Sequence, residues 1–297
     1  MTGIMFDLKR FAVHDGGGIR STLFLKGCPL RCPWCQNPEG IKGKPELWYN
    51  PGDCLQCKTC VAVCKEQALT LDGRIHIDHQ RCTLCGACEE ACPAGALRSM
   101  GREISPEEAA RLLLRDQVFF GDQGGVTLSG GEVMHQWEFA IQVLRLCKEA
   151  GADTAIESCL LAPRKVVEAM LTVTDHFMID IKFLDEELHR RHLGTGNKEI
   201  LENYQWLVEQ GADVLVRTPL IPGYTATEEN IRGIARYIKG VNREARYELL
   251  NFNSLCNSKY AALEQEYPVK GKAFTDAEMD GFYQILEEEG IVHIIKE

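Results

Sequence analysis

The chain has 297 residues, 45% of them hydrophobic, and a formal net charge of −10 at pH 7. That length suits one main domain with a small insertion, and the acidic balance argues against a general nucleic-acid binder, whose affinity comes from Lys and Arg on phosphates. No apolar stretch reaches the roughly 18 residues that a membrane helix needs.

The first segment, MTGIMFDLKRFAVHDGGG, lacks the uninterrupted apolar run and small-residue cleavage site of a secretory signal. A cytoplasmic, reducing setting is therefore expected for the 14 cysteines, with disulfides an improbable use for them. A first strand is predicted from Ser21 to Lys26, and it runs into GCPLRCPWCQNPEG. There Cys28, Cys32 and Cys35 stand at C-x3-C-x2-C spacing. Each iron of a four-iron cluster normally takes one cysteine thiolate, so this loop either has a distant fourth ligand or keeps one iron open to another molecule. The plainer alternatives are three unrelated thiols or a zinc site, although structural zinc usually takes paired knuckles that add up to four ligands.

Two tandem runs follow, Cys54, Cys57, Cys60, Cys64 and Cys82, Cys85, Cys88, Cys92, each spaced C-x2-C-x2-C-x3-C. This is the pattern of two-cluster bacterial ferredoxins, in which the fourth cysteine of each run ligates the other cluster. The expected sets are Cys54, Cys57, Cys60 with Cys92, and Cys82, Cys85, Cys88 with Cys64. Pro93 follows the second run, and Lys65 takes the equivalent place after the first. Cys147, Cys159 and Cys256 are left over. Cys147 is read as a small buried residue on a helix. Cys159 and Cys256 fall near predicted strand ends, where packing is expected and a part in the site stays open.

Beyond the insert, Ser105-Pro106-Glu107-Glu108 reads as a capping box that starts the helix EEAARLLLRD. Strands are then predicted at Val126 to Ser129, Thr154 to Ser158, His176 to Ile181, Asp213 to Thr218 and Tyr247 to Phe252. They alternate with amphipathic helices at Glu138 to Ala150, Pro163 to Leu171, Asn197 to Gln210 and Glu228 to Lys239. Thr275-Asp276-Ala277-Glu278 repeats the cap before DGFYQILEEEG, and IVHII makes a last strand. This alternation calls for a parallel sheet flanked by helices. The strands end in turn at the cysteine loop, SGGE, ESC, DIK, RTPLIPG and NFN. Ligand chemistry in such folds gathers at the carboxyl ends of the strands, so these motifs describe one site. His189 and His192, in a charged helical segment, are read as solvated surface.

Taken together, VHDGGGIRSTLFLKGCPLRCPWCQNPEG, VTLSGGEVMHQWEFAIQVLRLCKEAG, MIDIKFLDEELHRRHLGTGNKEILEN and VRTPLIPGY resemble the glycyl radical enzyme activating enzymes of the radical S-adenosylmethionine (SAM) superfamily, in the type with a two-cluster ferredoxin-like insert. The resemblance covers almost the whole chain. It implies a partial (β/α)6 barrel formed by residues 1–46 and 101–297, with a ferredoxin-like α+β domain at 47–100. It also implies three [4Fe-4S] clusters, one of them on Cys28, Cys32 and Cys35 with an iron free to chelate SAM. Electron transfer from that cluster would give the 5′-deoxyadenosyl radical, which abstracts a Cα hydrogen from a glycine of a partner glycyl radical enzyme. Flavodoxin or ferredoxin would be the reductant, in an anaerobic cytoplasm.

By the same resemblance, Gly130, Gly131 and Glu132 receive the SAM amino group, and Asp180 and Lys182 contact SAM. Glu157, Ser158, Met178 and Asp180 match positions that hold a monovalent cation in the pyruvate formate-lyase activase, with Glu157 in place of an aspartate. Three departures stand out: Gly17 and Val133 replace prolines of DGPGIR and SGGEP, and Asn251 and Asn253 replace the proline and histidine of a pattern like LLPYH. Asn253 can hydrogen-bond beside SAM but carries no charge. The insert could relay electrons, tune the site or dock the partner. A radical SAM enzyme acting on a small molecule or installing another peptide modification, and a plain electron carrier, are the other readings.

Overall fold

Runs of buried aliphatic residues, as in Leu23, Leu25, Val126, Leu128 and Ile156, form strands that lie side by side in the computed structural model, which describes residues 1–296. In chain order the strands are β1 (Gly3–Ala12), β2 (Arg20–Leu25), β3 (Glu46–Tyr49), β4 (Leu69–Asp72), β5 (Arg74–Ile77), β6 (Leu97–Met100), β7 (Arg102–Ile104), β8 (Gly125–Gly130), β9 (Asp153–Ser158), β10 (His176–Asp180), β11 (Asp213–Pro219), β12 (Arg246–Leu250) and β13 (His293–Ile295). The main sheet runs β13-β12-β11-β10-β9-β8-β2-β1-β7. From β2 to β13 every neighbouring pair is parallel. The expected α/β architecture is therefore present, extended at one edge by β1 and β7, which pair antiparallel and which sequence reading missed.

Parallel strands need helical crossovers, and these are Pro106–Leu113, Trp137–Glu149, Arg164–Leu171, Lys198–Glu209, Glu228–Val241 and Asp276–Glu288. Each turns an apolar stripe onto the sheet. Ile231, Ile234 and Ile238, for example, follow the helical period and are fully buried. The Thr275 cap is a complete capping box, with Glu278 reaching back to the cap. The Ser105 box is only half made. Its hydroxyl accepts from Glu108 N, but the Glu108 carboxylate pairs instead with Arg102 at 3.0 Å.

Residues between β2 and β7 fold around their own apolar cluster, in which Leu47, Tyr49, Ile75 and Leu97 pack with Cys60 and Cys88. Its frame is two antiparallel strand pairs, β3 with β6 and the hairpin of β4 with β5. Short helices at Thr59–Val63 and Ala87–Glu90 carry the third cysteine of each run. Among the described residues no helix is long and apolar enough to cross a membrane.

Candidate active site

The three-cysteine loop is tied down by backbone. Gly27 N donates to Gly40 O at 2.6 Å and Cys28 N to Ile41 O at 3.0 Å. Behind the loop, Gly131 N donates to Leu25 O and Glu132 N to Gly27 O, both at 2.8 Å. This close approach is why glycine is required: a Cβ on Gly131 would meet Gly27 O at 2.4 Å, and one on Gly130, at φ +118°, would meet Leu25 N at 2.4 Å. Tyr260 closes the far side, its hydroxyl donating to Cys35 O at 3.1 Å. Burial pushes the Cys28 thiol up to about 12 and raises Cys32 and Cys35 as well. Such thiols ionise only against added positive charge, which a metal centre supplies. The donor set is thus suited to a metal cluster.

Cys28, Cys32 and Cys35 face Gly130 and Gly131 from β8, Glu157 and Ser158 from β9, and Asp180 and Lys182 from β10, around a cavity of about 260 Å³. The motifs that end successive strands therefore meet, as parallel α/β geometry requires. Charges in the cavity are paired. Lys182 Nζ lies 3.0 Å from Asp180 Oδ2, and Arg217 on β11 donates to Glu157 Oε1 at 2.8 Å. Burial alone would lower the Lys182 pKa, but the charge and hydrogen bond of Asp180 together with the neighbouring Cys32 and Cys159 more than offset it and the net shift is upward. For Asp180 burial pulls upward, and Lys182 with Arg217 hold the carboxyl below its usual range.

Glu132 lies beside this cavity but is fully engaged elsewhere. Its carboxylate, 1% exposed, accepts from Met134 N, Ser158 Oγ, Cys159 N and Cys159 Sγ. It clamps the turn after β9, where Leu160 adopts φ +58°. The Asn253 side chain stands on an exposed turn and accepts from Leu255 N at 3.3 Å, while its carbonyl accepts at 3.1 Å from Nε2 of Gln36, a residue of the cavity wall. Leu250, at the end of β12, lines the cavity instead.

A model of the radical SAM superfamily matches residues 79–238, and one of a 4Fe-4S dicluster domain matches residues 39–96. The chain is 42% identical over 277 residues to the isethionate sulfite-lyase activating enzyme of Oleidesulfovibrio alaskensis, covering 90% of this chain and 89% of that one. It is 40% identical to the (2S)-3-sulfopropanediol sulfolyase activating enzyme of Bilophila wadsworthia, covering 94% of each. In fold it is similar to a radical SAM methyltransferase of Sphaerobacter thermophilus, with a TM-score of 0.51 and 15% identity over 72% of this chain and 61% of that one. The chain belongs to the glycyl radical enzyme activating enzymes of the radical SAM superfamily.

In this activating enzyme the insert repeats one local geometry. Cys54, Cys57, Cys60 and Cys92 surround one small apolar hollow, and Cys64, Cys82, Cys85 and Cys88 surround another. Left-handed residues recur at matching places, Gln56, Lys58 and Gln67 in the first run and Leu84, Gly86 and Gly95 in the second. Four of the six are not glycine, so the loops hold conformations that cost energy. Backbone N–H groups of Gln56, Ala68 and Ala96 point at the sulfurs of Cys54, Cys64 and Cys92, at 3.4, 3.3 and 3.2 Å. Such bonds stabilise negative charge on sulfur and tune iron–sulfur potentials.

Two readings of the activase sequence need correction. His189 is 1% exposed, not solvated, because the helix Glu186–Leu193 turns His189 and Leu193 inward; its Nδ1 lies 2.6 Å from Thr195 O. His192 is half-buried against Phe183 and Tyr224. Sequence reading also passed over Arg217 and left Cys159 open. The only signal for Arg217 was its place at a strand end, in RTPLIPG.

Proposed function

We propose that this enzyme binds SAM in the cavity beside Cys28, Cys32 and Cys35 and generates a glycyl radical on a partner protein. The observation that carries the reading is the convergence of three solvent-sheltered thiols with Gly130, Gly131, Glu157, Asp180 and Lys182 on one cavity. A [4Fe-4S] cluster on the three cysteines would supply the electron that cleaves SAM to methionine and the 5′-deoxyadenosyl radical, which takes the glycine Cα hydrogen. Lys182 gives the cavity a fixed ammonium suited to a carboxylate, and Asp180 and Glu157 offer acceptors for ammonium and hydroxyl groups. The backbone of Gly130 and Gly131 allows close approach of a ligand. None of these residues has to move a proton; their work is to orient SAM and keep water from the radical. Glu132 acts through Ser158 and Cys159, by fixing the turn that carries them.

Residues 47–100 form the insert in this reading, with one [4Fe-4S] cluster on Cys54, Cys57, Cys60 and Cys92 and another on Cys64, Cys82, Cys85 and Cys88. Their job is electron relay from flavodoxin or ferredoxin in an anaerobic cytoplasm. The protein substrate is a large glycyl radical enzyme. Relatives named as activating enzymes of isethionate sulfite-lyase and (2S)-3-sulfopropanediol sulfolyase make those lyases the first to try.

The test uses anaerobically reconstituted protein, wild type and Cys32→Ala, reduced and mixed with SAM. About twelve bound irons, release of 5′-deoxyadenosine lost in the variant, and a glycyl radical in a supplied partner are expected. About eight irons and no SAM cleavage in either protein would overturn the reading in favour of an electron carrier.

A further inference from the structure

At the four positions that the resemblance offers to a monovalent cation, Glu157, Ser158, Met178 and Asp180, the side chains are already engaged. The Arg217 guanidinium reaches Glu157 Oε1 through Nη1 at 2.8 Å and Asp180 Oδ1 through Nε at 3.4 Å. The same Nη1 lies 3.7 Å from the Met178 sulfur. Ser158 turns away, its hydroxyl donating to Glu132 and accepting from Leu160 N. Each remaining carboxylate oxygen also takes one donor, which leaves it capacity for a ligand's N–H or O–H: Ser129 Oγ donates to Glu157 Oε2, and Lys182 Nζ to Asp180 Oδ2.

Sheet register produces this arrangement. Arg217 lies beside Asp180 of β10 on one side and Glu248 of β12 on the other, and only 7% of it is exposed. A metal cation between Glu157 and Asp180 would share both carboxylates with the guanidinium at contact distance, and like charges in so sheltered a place repel strongly. The guanidinium, permanently charged and with its donors in a rigid fork, satisfies both acids without exchange with solvent.

We propose that Arg217 is the resident cation of this site, a positioning residue that holds Glu157 and Asp180 in place, so that the enzyme binds and cleaves SAM without a bound monovalent cation. The proposal rests on the reading of the cavity as the SAM site.

Its test measures SAM binding to the reconstituted holoenzyme in sodium, potassium and tetramethylammonium buffers of equal ionic strength. The readouts are titration calorimetry and the change that SAM causes in the EPR spectrum of the reduced protein. The wild-type dissociation constant is expected to agree within about twofold in all three buffers. Arg217→Met should bind SAM on the order of tenfold more weakly in tetramethylammonium, the scale of a lost charge-assisted bond, and recover part of the loss as potassium is added. Arg217→Lys, which keeps the charge, should stay indifferent to the buffer cation. A wild-type affinity that falls severalfold when tetramethylammonium replaces potassium overturns the proposal, and this comparison needs no variant to fold. An Arg217→Met protein that matches wild type in every buffer also overturns it. No SAM binding in any buffer would instead overturn the reading of the cavity.

Discussion

Cys159 donates twice to a single oxygen: its N–H reaches Glu132 Oε2 at 2.8 Å and its S–H reaches the same atom at 2.9 Å. Burial and the neighbouring Glu132 charge hold the thiol pKa well above its ordinary value, so the proton stays on sulfur and the bond is kept. Glu132→Ala removes the acceptor of four donors in a dry site, where each unsatisfied group costs about 1–3 kcal/mol. We expect its thermal midpoint to fall by roughly 10 °C or more, the shift that about 4 kcal/mol and upward gives in a chain of this size, and SAM cleavage to fall with it. Cys159→Ser keeps a donor at the same place and should stay within about 1 kcal/mol of wild type. Thermal unfolding of the anaerobic holoprotein decides; a Glu132→Ala protein that melts with wild type would rule out the clamp.

Two asparagines stand where a proline and a histidine were expected, and they do different work. Asn251 staples the end of β12, donating to Phe274 O at 2.8 Å and accepting from Phe274 N at 2.9 Å. The Asn253 side chain makes only a local turn on the surface; the residue's tie to Gln36 runs through its backbone carbonyl, which an alanine keeps. Asn251→Ala should therefore lose about 1–3 kcal/mol of stability, while Asn253→Ala should change 5′-deoxyadenosine release by less than about twofold, as surface substitutions usually do. A large loss of SAM cleavage in Asn253→Ala, with normal stability, would restore that position to the site.

What could be read from sequence was what is local in sequence. The cysteine loop, SGGE, ESC and DIK are each contiguous, and parallel strands bring their ends together by rule. Arg217 is equally close to a strand end, but its partners Asp180 and Glu157 lie 37 and 60 residues away, and only strand register reveals the contact. His189 was hidden by its neighbours: Glu186, Glu187, Arg190 and Arg191 make the segment look solvated, although the i, i+4 pair of His189 and Leu193 faces inward. Strands β1 and β7 escaped because β7 has three residues and β1 turns exposed after Met5, with Asp7, Lys9 and Arg10 outward.

The two halves of the insert are not equivalent relative to the cysteine loop. Tyr49 lines the hollow of the Cys54 set, the Arg74 guanidinium lies 5.8 Å from the Tyr49 ring centroid, and Arg74 donates to Ala261 O at 3.4 Å. The next residue along, Tyr260, donates to Cys35 O. If the insert relays electrons as proposed, that contiguous path would make the Cys54 set the last stop before the cysteine loop. Cys57→Ser should therefore slow reduction of the SAM-binding centre more than Cys85→Ser does, when flavodoxin or ferredoxin is the donor. Stopped-flow reduction followed by EPR reads both. Normal glycyl radical yield in both variants would eliminate the relay.

His176 sits at the opposite ends of the strands, between Asp153, 2.8 Å from Nε2, and Asp213, bonded to Nδ1. Arg20 also binds Asp153 at 2.7 Å, and Arg246 binds Asp213. The hydrogen bond to Asp153 raises the His176 pKa most; burial opposes it, and Asp213 raises it further. A histidine held above its ordinary 6.5 contributes stability that is complete below that value and disappears as pH climbs through the raised one. Asp153 is held below its usual range by His176 and Arg20 against burial, and both arginines keep their charge, so the histidine is the member of the group that titrates from pH 6.5 upward. Its ring is 43% exposed, which limits the contribution to about 1 kcal/mol or less. We expect the thermal midpoint to fall by a few degrees across this window in wild type, as about 1 kcal/mol implies, and His176→Gln to flatten that slope. A variant that keeps the wild-type slope would assign the pH dependence to another group.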